Sequence, residues 1–407
     1  MPSTPSGEPR AYRQLIAGEW VTADGGGVFD DINPYTGQPF ATVPASGAID
    51  VQRAIDAADR AFPAWAAMGA RARQALFLNA ATILERRADE IVLMMAQENG
   101  AAAAYSRFQI QWAAGLLRQA AGYPYLPGGE IVQSDTPGVF AMAVRKPLGV
   151  VCGISPWNGA IALGFRSIVA PLACGNTVVL KPSEEAPVCA GILMGEILHE
   201  AGFPAGVINV VTHAPADIGA VADPLFDSAK VRAYNFTGSS VTGARLAARA
   251  GSKLKRIALE LGGYNPMIVL ADADLEYSVD TAIFAAFFHQ GQICMNTRKI
   301  LVHRSLYASF LERFVARAKA MQAGDPSDPR TKLGPLINDQ AVTKVRQGID
   351  EALARGARLV AGGTFRGRCF DPTVLVDVPA DAPIHCEEVF GPVVLVEPFD
   401  DEQQAVQ

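Results

Sequence analysis

Between Asn176 and Leu270 the chain alternates short apolar runs with amphipathic stretches, and this alternation constrains the fold more than any other feature. "NTVVLK" reads as a strand, "VCAGILMGEILHEAG" as a helix ending in glycine, and "VINVV" as the next strand. "VRAYNF" then runs into the turn "TGSS", "VTGARLAARAG" makes a further helix, and "RIALEL" and "PMIVL" follow as short apolar strands. Strands that are apolar along their whole length are buried on both faces, which implies a parallel sheet covered by helices on either side. A second set begins at Tyr277, with helices, "KILVH", the long helix "LYASFLERFVARAKAM" and "RLVAGG". Two α/β domains are therefore expected, meeting near residues 261–265. Upstream, "DVQRAIDAADRAFPAWAAM" and "RQALFLNAATILERRADEIVLMMAQENG" carry apolar residues at helical intervals. "AMAVRKPLGVVC" has β character interrupted by a proline, as an edge or arm segment would. The first ten or so residues, rich in Pro and Ser, read as a loose tail.

A chain of 407 residues, half of them hydrophobic and 19% charged, is long enough for two or three packed domains. The net charge of −6 gives no electrostatic case for nucleic acid or an anionic membrane surface. The six cysteines form no C-x-x-C pair and the five histidines no ligand pattern, so neither a disulfide framework nor a metal site is expected. The opening "MPSTPSGEPRAYRQ" lacks the apolar core of a secretory signal, and runs such as "GVVCGISPW" are too short to span a bilayer. These features predict a reduced, cytoplasmic protein.

Several turns after strands carry residues with chemical potential, each with a plainer alternative. In "FFHQGQICMNTRKI", Cys294 is either a nucleophile or a buried filler, since free cysteine is among the most buried residue types. "NFTGSSVTGARLA" has a strand, a glycine turn and a helix: Gly238 permits close backbone approach, and Ser239 with the helix N-terminus suits a phosphate. Glycine turns before helices are also common in the absence of any ligand. "VVLKPSEEAP" sets Lys181 and Glu184 after a strand end, where they could meet a ribose or form a solvated loop of charges. A carboxylate there would repel a 2′-phosphate. "IALELGGYNP" puts Glu260 before a Leu-Gly-Gly turn, either as a base in a desolvating cavity or as a salt-bridged residue. Asn158 in "GISPWNGA" offers an amide N–H to an oxyanion, or simply serves the turn.

Taken in order and at their separations, "PWN", "KPSE", "FTGS", "LELGG", "GQIC" and "EEVFGPV" closely resemble the aldehyde dehydrogenase superfamily, from about Tyr12 to the last residues. The resemblance implies an α/β fold with a Rossmann-like cofactor domain (residues 1–124 and 148–261), a β oligomerisation arm (125–147) and a second α/β catalytic domain (262–407). It implies Cys294 as nucleophile, Glu260 as the general base for deacylation, and Asn158 with the Cys294 N–H as oxyanion hole. Lys181 and Glu184 would hold the adenine ribose, Ser239 the pyrophosphate, Glu388 the nicotinamide ribose and Phe390 the nicotinamide end. Ser155, Pro156, Trp157, Ser183, Gly238, Leu261 and Gly262 would complete the cofactor contacts. The implied cofactor is NAD, with NADP possible, and the implied partners are a small aldehyde and further copies of the chain in a homodimer or homotetramer. His289 has no role in the family and is expected to be structural.

Within the superfamily, the run from Ser134 to Glu184 looks most like the branch acting on aromatic aldehydes such as vanillin, benzaldehyde or salicylaldehyde. Phe165, Arg166 and Ser167 occupy a helix where many relatives carry a lysine. Tyr264 stands where a lysine usually follows "LELGG", which changes the charge environment beside Glu260. Relatives normally continue for several tens of residues beyond Gln407, over a segment that finishes the catalytic domain. A CoA-acylating enzyme and an impaired binding or scaffold protein are the rival readings; the presence of Glu260 argues against the first.

Overall fold

In the computed structural model of the chain, residues 9–406 are described, and they divide into two compact units. The proposed tail therefore lies almost wholly outside the described residues. Unit 1 comprises residues up to Asp31, Pro39–Glu90 and Phe108–Glu260; unit 2 comprises Ile32–Gln38, Ile91–Arg107 and the chain from Leu261 onward.

Unit 1 is organised on five parallel strands: β1 (Val150–Ser155), β2 (Thr177–Pro182), β3 (Ile208–Val210), β4 (Val231–Thr237) and β5 (Arg256–Glu260). Their spatial order is β3-β2-β1-β4-β5, so the winding reverses between β1 and β4. All six residues of β1 and of β2 are buried, as their unbroken apolar runs require. Helices α1 (Ala48–Ala67) and α2 (Ala160–Ala173) pack on this sheet, with α3 (Leu193–Glu200) and α4 (Ser240–Ser252) between later strands. The run from Val188 enters α3 through a π-helical turn, Val188–Ile192. Buried side chains such as Trp65, Phe165, Phe226 and Tyr234 fill the core, each stabilising the fold by roughly 1.5–3 kcal/mol. A hairpin pairs Gly129–Val132 with Ala141–Val144 and exposes Ile131, Phe140, Met142 and Val144.

Unit 2 holds a second sheet of β6 (Asn265–Val269), β7 (Thr297–His303), β8 (Arg358–Ala361), β9 (Thr373–Val376) and β10 (Val393–Phe399). The order is β6-β7-β10-β9-β8, parallel except for β8. Thus "PMIVL", which follows the first set in sequence, is the opening edge of the second sheet. Helices α5 (Leu275–Phe287) and α6 (Arg304–Lys319) contribute Phe287, Phe310 and Phe314 to one core cluster. Helix α7 (Asp339–Ala354) contributes Val345 and Ile349 to another. Among the described residues, no helix is long and apolar enough to cross a membrane.

Candidate active site

The carboxyl ends of the unit 1 strands collect most of the residues singled out from the sequence. Open α/β sheets bind ligands at these ends, where the strand order reverses. Strand β1 delivers Ser155, Pro156, Trp157 and Asn158, β2 delivers Lys181, Ser183 and Glu184, β4 leads to Gly238 and Ser239, and β5 ends on Glu260. The turn after β1 is held from below. Gln109 Nε2 donates to the Asn158 carbonyl at 3.4 Å, and its Oε1 accepts from Ala162 N at 3.3 Å. At Gly159 a Cβ would stand 2.6 Å from the Leu163 side chain, which would have to turn aside. Asn158 is buried, and the Ser155 hydroxyl donates inward to the Ala190 carbonyl at 2.7 Å.

Lys181 is buried at the end of β2, and burial lowers its ammonium pKa while Glu184 opposes the shift. Its Nζ lies 3.8 Å from Glu184 Oε2. Ser183 turns the chain by accepting from Glu185 N at 3.3 Å. Across the reversal, Gly238 N donates to the Glu260 carbonyl at 3.0 Å. Ser239 caps α4, its Oγ accepting from Thr242 N at 3.2 Å, and on this exposed turn the N–H groups of Ser240 and Val241 precede the first intrahelical bond.

Glu260 differs from expectation in its surroundings: its side chain is 57% exposed rather than enclosed. Arg166 Nη1 lies 3.7 Å from Glu260 Oε2, and its Nη2 donates to Thr237 Oγ1 at 3.1 Å. The cation beside Glu260 therefore comes from α2. Phe165 and Ser167, flanking it, face the core, and the Ser167 hydroxyl donates to the Gly164 carbonyl at 2.7 Å.

In unit 2, Cys294 sits on a loop built around an unusual turn. His289, Gln290 and Gly291 all adopt left-handed conformations, with φ of 50°, 52° and 70°. For the two non-glycine residues this costs on the order of 1 kcal/mol or more each. Side-chain bonds compensate: Gln290 Nε2 donates to the Gly100 and Pro335 carbonyls, and Asn296 Nδ2 to those of Ala286 and Phe288. Gly291 is indispensable, because a Cβ would approach the Gly391 carbonyl oxygen to 2.0 Å. Asn265 Nδ2 donates to the Cys294 carbonyl at 2.7 Å. His289 is fully buried and stacks on Tyr105 at 4.1 Å, and burial pulls its pKa down to about 3.

Arg298 joins this loop to the "EEVFGPV" segment. Its Nη2 donates to the Ile293 carbonyl at 3.0 Å and its Nη1 to that of Gly391 at 3.3 Å. The guanidinium lies 5.7 Å from the Phe390 ring centroid and 4.0 Å from Glu388 Oε1. Burial lowers the Arg298 pKa to about 10, opposed by Glu388. Glu388 Oε1 is buried without a hydrogen-bond partner, and its carboxylate covers Gly262, where a Cβ would meet Oε2 at 2.3 Å. Tyr264 instead donates from its hydroxyl to the Ile384 carbonyl at 3.1 Å. Reading the sequence did not identify Arg298, Gln109 or Asn265; each bonds backbone groups that the fold brings alongside, at Gly391, at Asn158 and Ala162, and at Cys294, which leaves no local pattern.

All six cysteines are free. Burial pushes the thiols of Cys152 and Cys369 up to about 12 and about 11, which removes them as ready thiolates. Cys294 is half-buried.

The aldehyde dehydrogenase family profile matches residues 20–407. Vanillin dehydrogenase of Pseudomonas fluorescens is 43% identical over 393 residues, covering 97% of this chain and 81% of the relative. Benzaldehyde dehydrogenase [NAD(+)] of Pseudomonas putida is 37% identical over 404 residues, covering 98% and 81%. A crystal structure of salicylaldehyde dehydrogenase from Pseudomonas putida complexed with salicylaldehyde superimposes with a TM-score of 0.95 at 33% identity, over 98% of this chain and 82% of that one. With matches of this extent in both sequence and structure, the chain belongs to the aldehyde dehydrogenase family and has its fold.

Proposed function

We propose that this protein oxidises an aromatic aldehyde to the carboxylic acid, with NAD as hydride acceptor and Cys294 as nucleophile. The observation that carries the substrate class is the set of relatives: vanillin, benzaldehyde and salicylaldehyde dehydrogenases match 97–98% of the chain at 35–43% identity. NAD fits the residues present. Glu388 offers a buried carboxylate oxygen lacking a partner, suited to a ribose hydroxyl, and the first turn of α4 offers free N–H donors to a pyrophosphate. Lys181 and Glu184 would hold the adenosine ribose, with Phe390 near the nicotinamide. Ser155, Pro156, Trp157, Ser183, Gly238, Leu261 and Gly262 would shape the remaining walls.

When bound, NAD supplies the acceptor for hydride. The chain's own residues do the rest. The Cys294 thiolate adds to the aldehyde carbon, giving a thiohemiacetal whose oxyanion the Asn158 side chain and the Cys294 N–H stabilise. Loss of hydride leaves a thioester on Cys294. Glu260 takes a proton from water, which attacks the thioester and releases the acid and the thiol. Arg166, 3.7 Å away, would orient the Glu260 carboxylate. The apolar hairpin at 129–144 would serve as the arm for assembly with further copies.

Absorbance of the reduced nicotinamide, followed with vanillin, benzaldehyde and a short aliphatic aldehyde, tests the reading. Higher kcat/KM for the aromatic substrates without CoA is expected. Turnover only with aliphatic aldehydes would overturn the substrate class, and strict dependence on CoA would overturn the hydrolytic step.

A further inference from the structure

Glu184 places one anion beside two nitrogen bases. Its Oε2 lies 3.8 Å from Lys181 Nζ and 3.8 Å from Nε2 of His213, a residue that follows β3. The His213 side chain is fully buried, and its Nδ1 lies 2.8 Å from the Ala214 carbonyl oxygen. A carbonyl can only accept, so Nδ1 carries the proton. In the neutral ring Nε2 then presents a lone pair toward the carboxylate, and it has no hydrogen-bond partner. An acceptor buried against an acceptor is an unfavourable pairing that a single proton on Nε2 would convert into a charge-assisted contact.

We infer that His213 sets the preference between NAD and NADP by acting through Glu184, as a positioning residue whose protonation weakens the rejection of a 2′-phosphate. The inference rests on the reading of Glu184 as the carboxylate that meets the adenosine ribose. With His213 neutral, Lys181 and Glu184 sum to no net charge, and the carboxylate is free to accept from both ribose hydroxyls. A 2′-phosphate would meet that carboxylate directly. With His213 protonated, the three groups sum to one positive charge and the carboxylate is drawn toward the ring. Burial and Lys181 lower the His213 pKa, while the Ala214 carbonyl, Glu184 and Asp217 act the other way. The net shift is downward, so the ring takes up its second proton only below the ordinary histidine range.

Dissociation constants for NAD and NADP, measured by calorimetry on the intact chain at about pH 8 and about pH 5.5, test this. Because the 2′-phosphate of NADP also titrates, the native chain is compared with His213→Asn and His213→Gln, in which the ligand's own titration is unchanged. The ratio of NADP to NAD affinity should gain about fivefold more on acidification in the native chain than in either variant, the scale of one charge in a half-solvated site. NADP binding should also raise the His213 pKa followed by NMR in the unmodified protein, and NAD binding should lower it. Equal pH dependence in native and variant chains, or a His213 pKa indifferent to both ligands, overturns the inference. Glu184→Gln separates the two levels of the argument. If it shifts the ratio while the His213 variants do not, only the role of His213 falls; if it leaves the ratio unchanged, or neither dinucleotide binds, the ribose reading falls and the inference with it.

Discussion

Arg166 and Glu260 lie with Nη1 and Oε2 3.7 Å apart at the carboxyl ends of the unit 1 sheet, where helix α2 reaches the last residue of β5. The pair is partly solvated, with side-chain exposures of 29% and 57%, so its worth is no more than about 1 kcal/mol. Replacing Arg166 by Met should lower steady-state turnover roughly fivefold, with Arg166→Lys retaining most of it. Turnover in Arg166→Met equal to that of the native chain would show that the guanidinium has no bearing on the base.

Cys294 is expected to be the only cysteine required for chemistry. Cys294→Ala should abolish turnover while leaving the unfolding midpoint and NAD binding in place, because the side chains of Asn265, Gln290, Asn296 and Arg298 hold the loop. Substantial dehydrogenase activity in this variant would refute the assignment.

Glu260→Gln separates acylation from deacylation. A rapid-mixing experiment should show one equivalent of reduced nicotinamide formed at near-native rate, followed by turnover about a hundredfold slower. A slowed burst would mean that Glu260 also deprotonates Cys294, and unchanged turnover would make it a structural residue of the turn.

His289 predicts a pH dependence of stability whose sign is determined by its burial. Its pKa is 6.5 in the unfolded chain and about 3 when folded. Above the higher value both states are neutral at this site. As the pH falls between the two values only the unfolded state takes up the proton, so stability drops by ~1.4 kcal/mol per pH unit from this group. His289→Asn, which tolerates the left-handed backbone, should flatten that slope in denaturant titrations. A slope identical to that of the native chain would contradict the argument.

Arg298 should be a stability determinant of unit 2. Arg298→Met leaves the carbonyls of Ile293 and Gly391 without their donor and Glu388 without its nearest cation. A loss of about 2–4 kcal/mol in chemical unfolding is expected, with Arg298→Lys intermediate because it restores the charge but not the planar fork. An unfolding midpoint for Arg298→Met matching the native one would exclude this role.

The sequence by itself determined the elements that depend on neighbouring residues. The apolar run "VVL" within β2 reads as a buried strand, and the alternation of such runs with amphipathic helices points to a parallel sheet. The glycine turns after β4 and β5, and the ordered motifs with Cys294, Glu260 and Asn158, were legible for the same reason. What the tertiary structure decided were pairings between residues far apart in the chain, which no periodicity encodes. Arg166, midway along α2, meets Glu260 and Thr237 because that helix packs on the sheet beside the ends of β4 and β5. His213 meets Glu184 because β3 lies next to β2 in the sheet. The left-handed run at His289 and Gln290 contradicts local backbone preference, and it persists only because carbonyls at Gly100 and Pro335 are in place to receive Gln290. Local propensity is carried by sequence neighbours, whereas strain and charge are balanced by whichever groups the fold brings alongside.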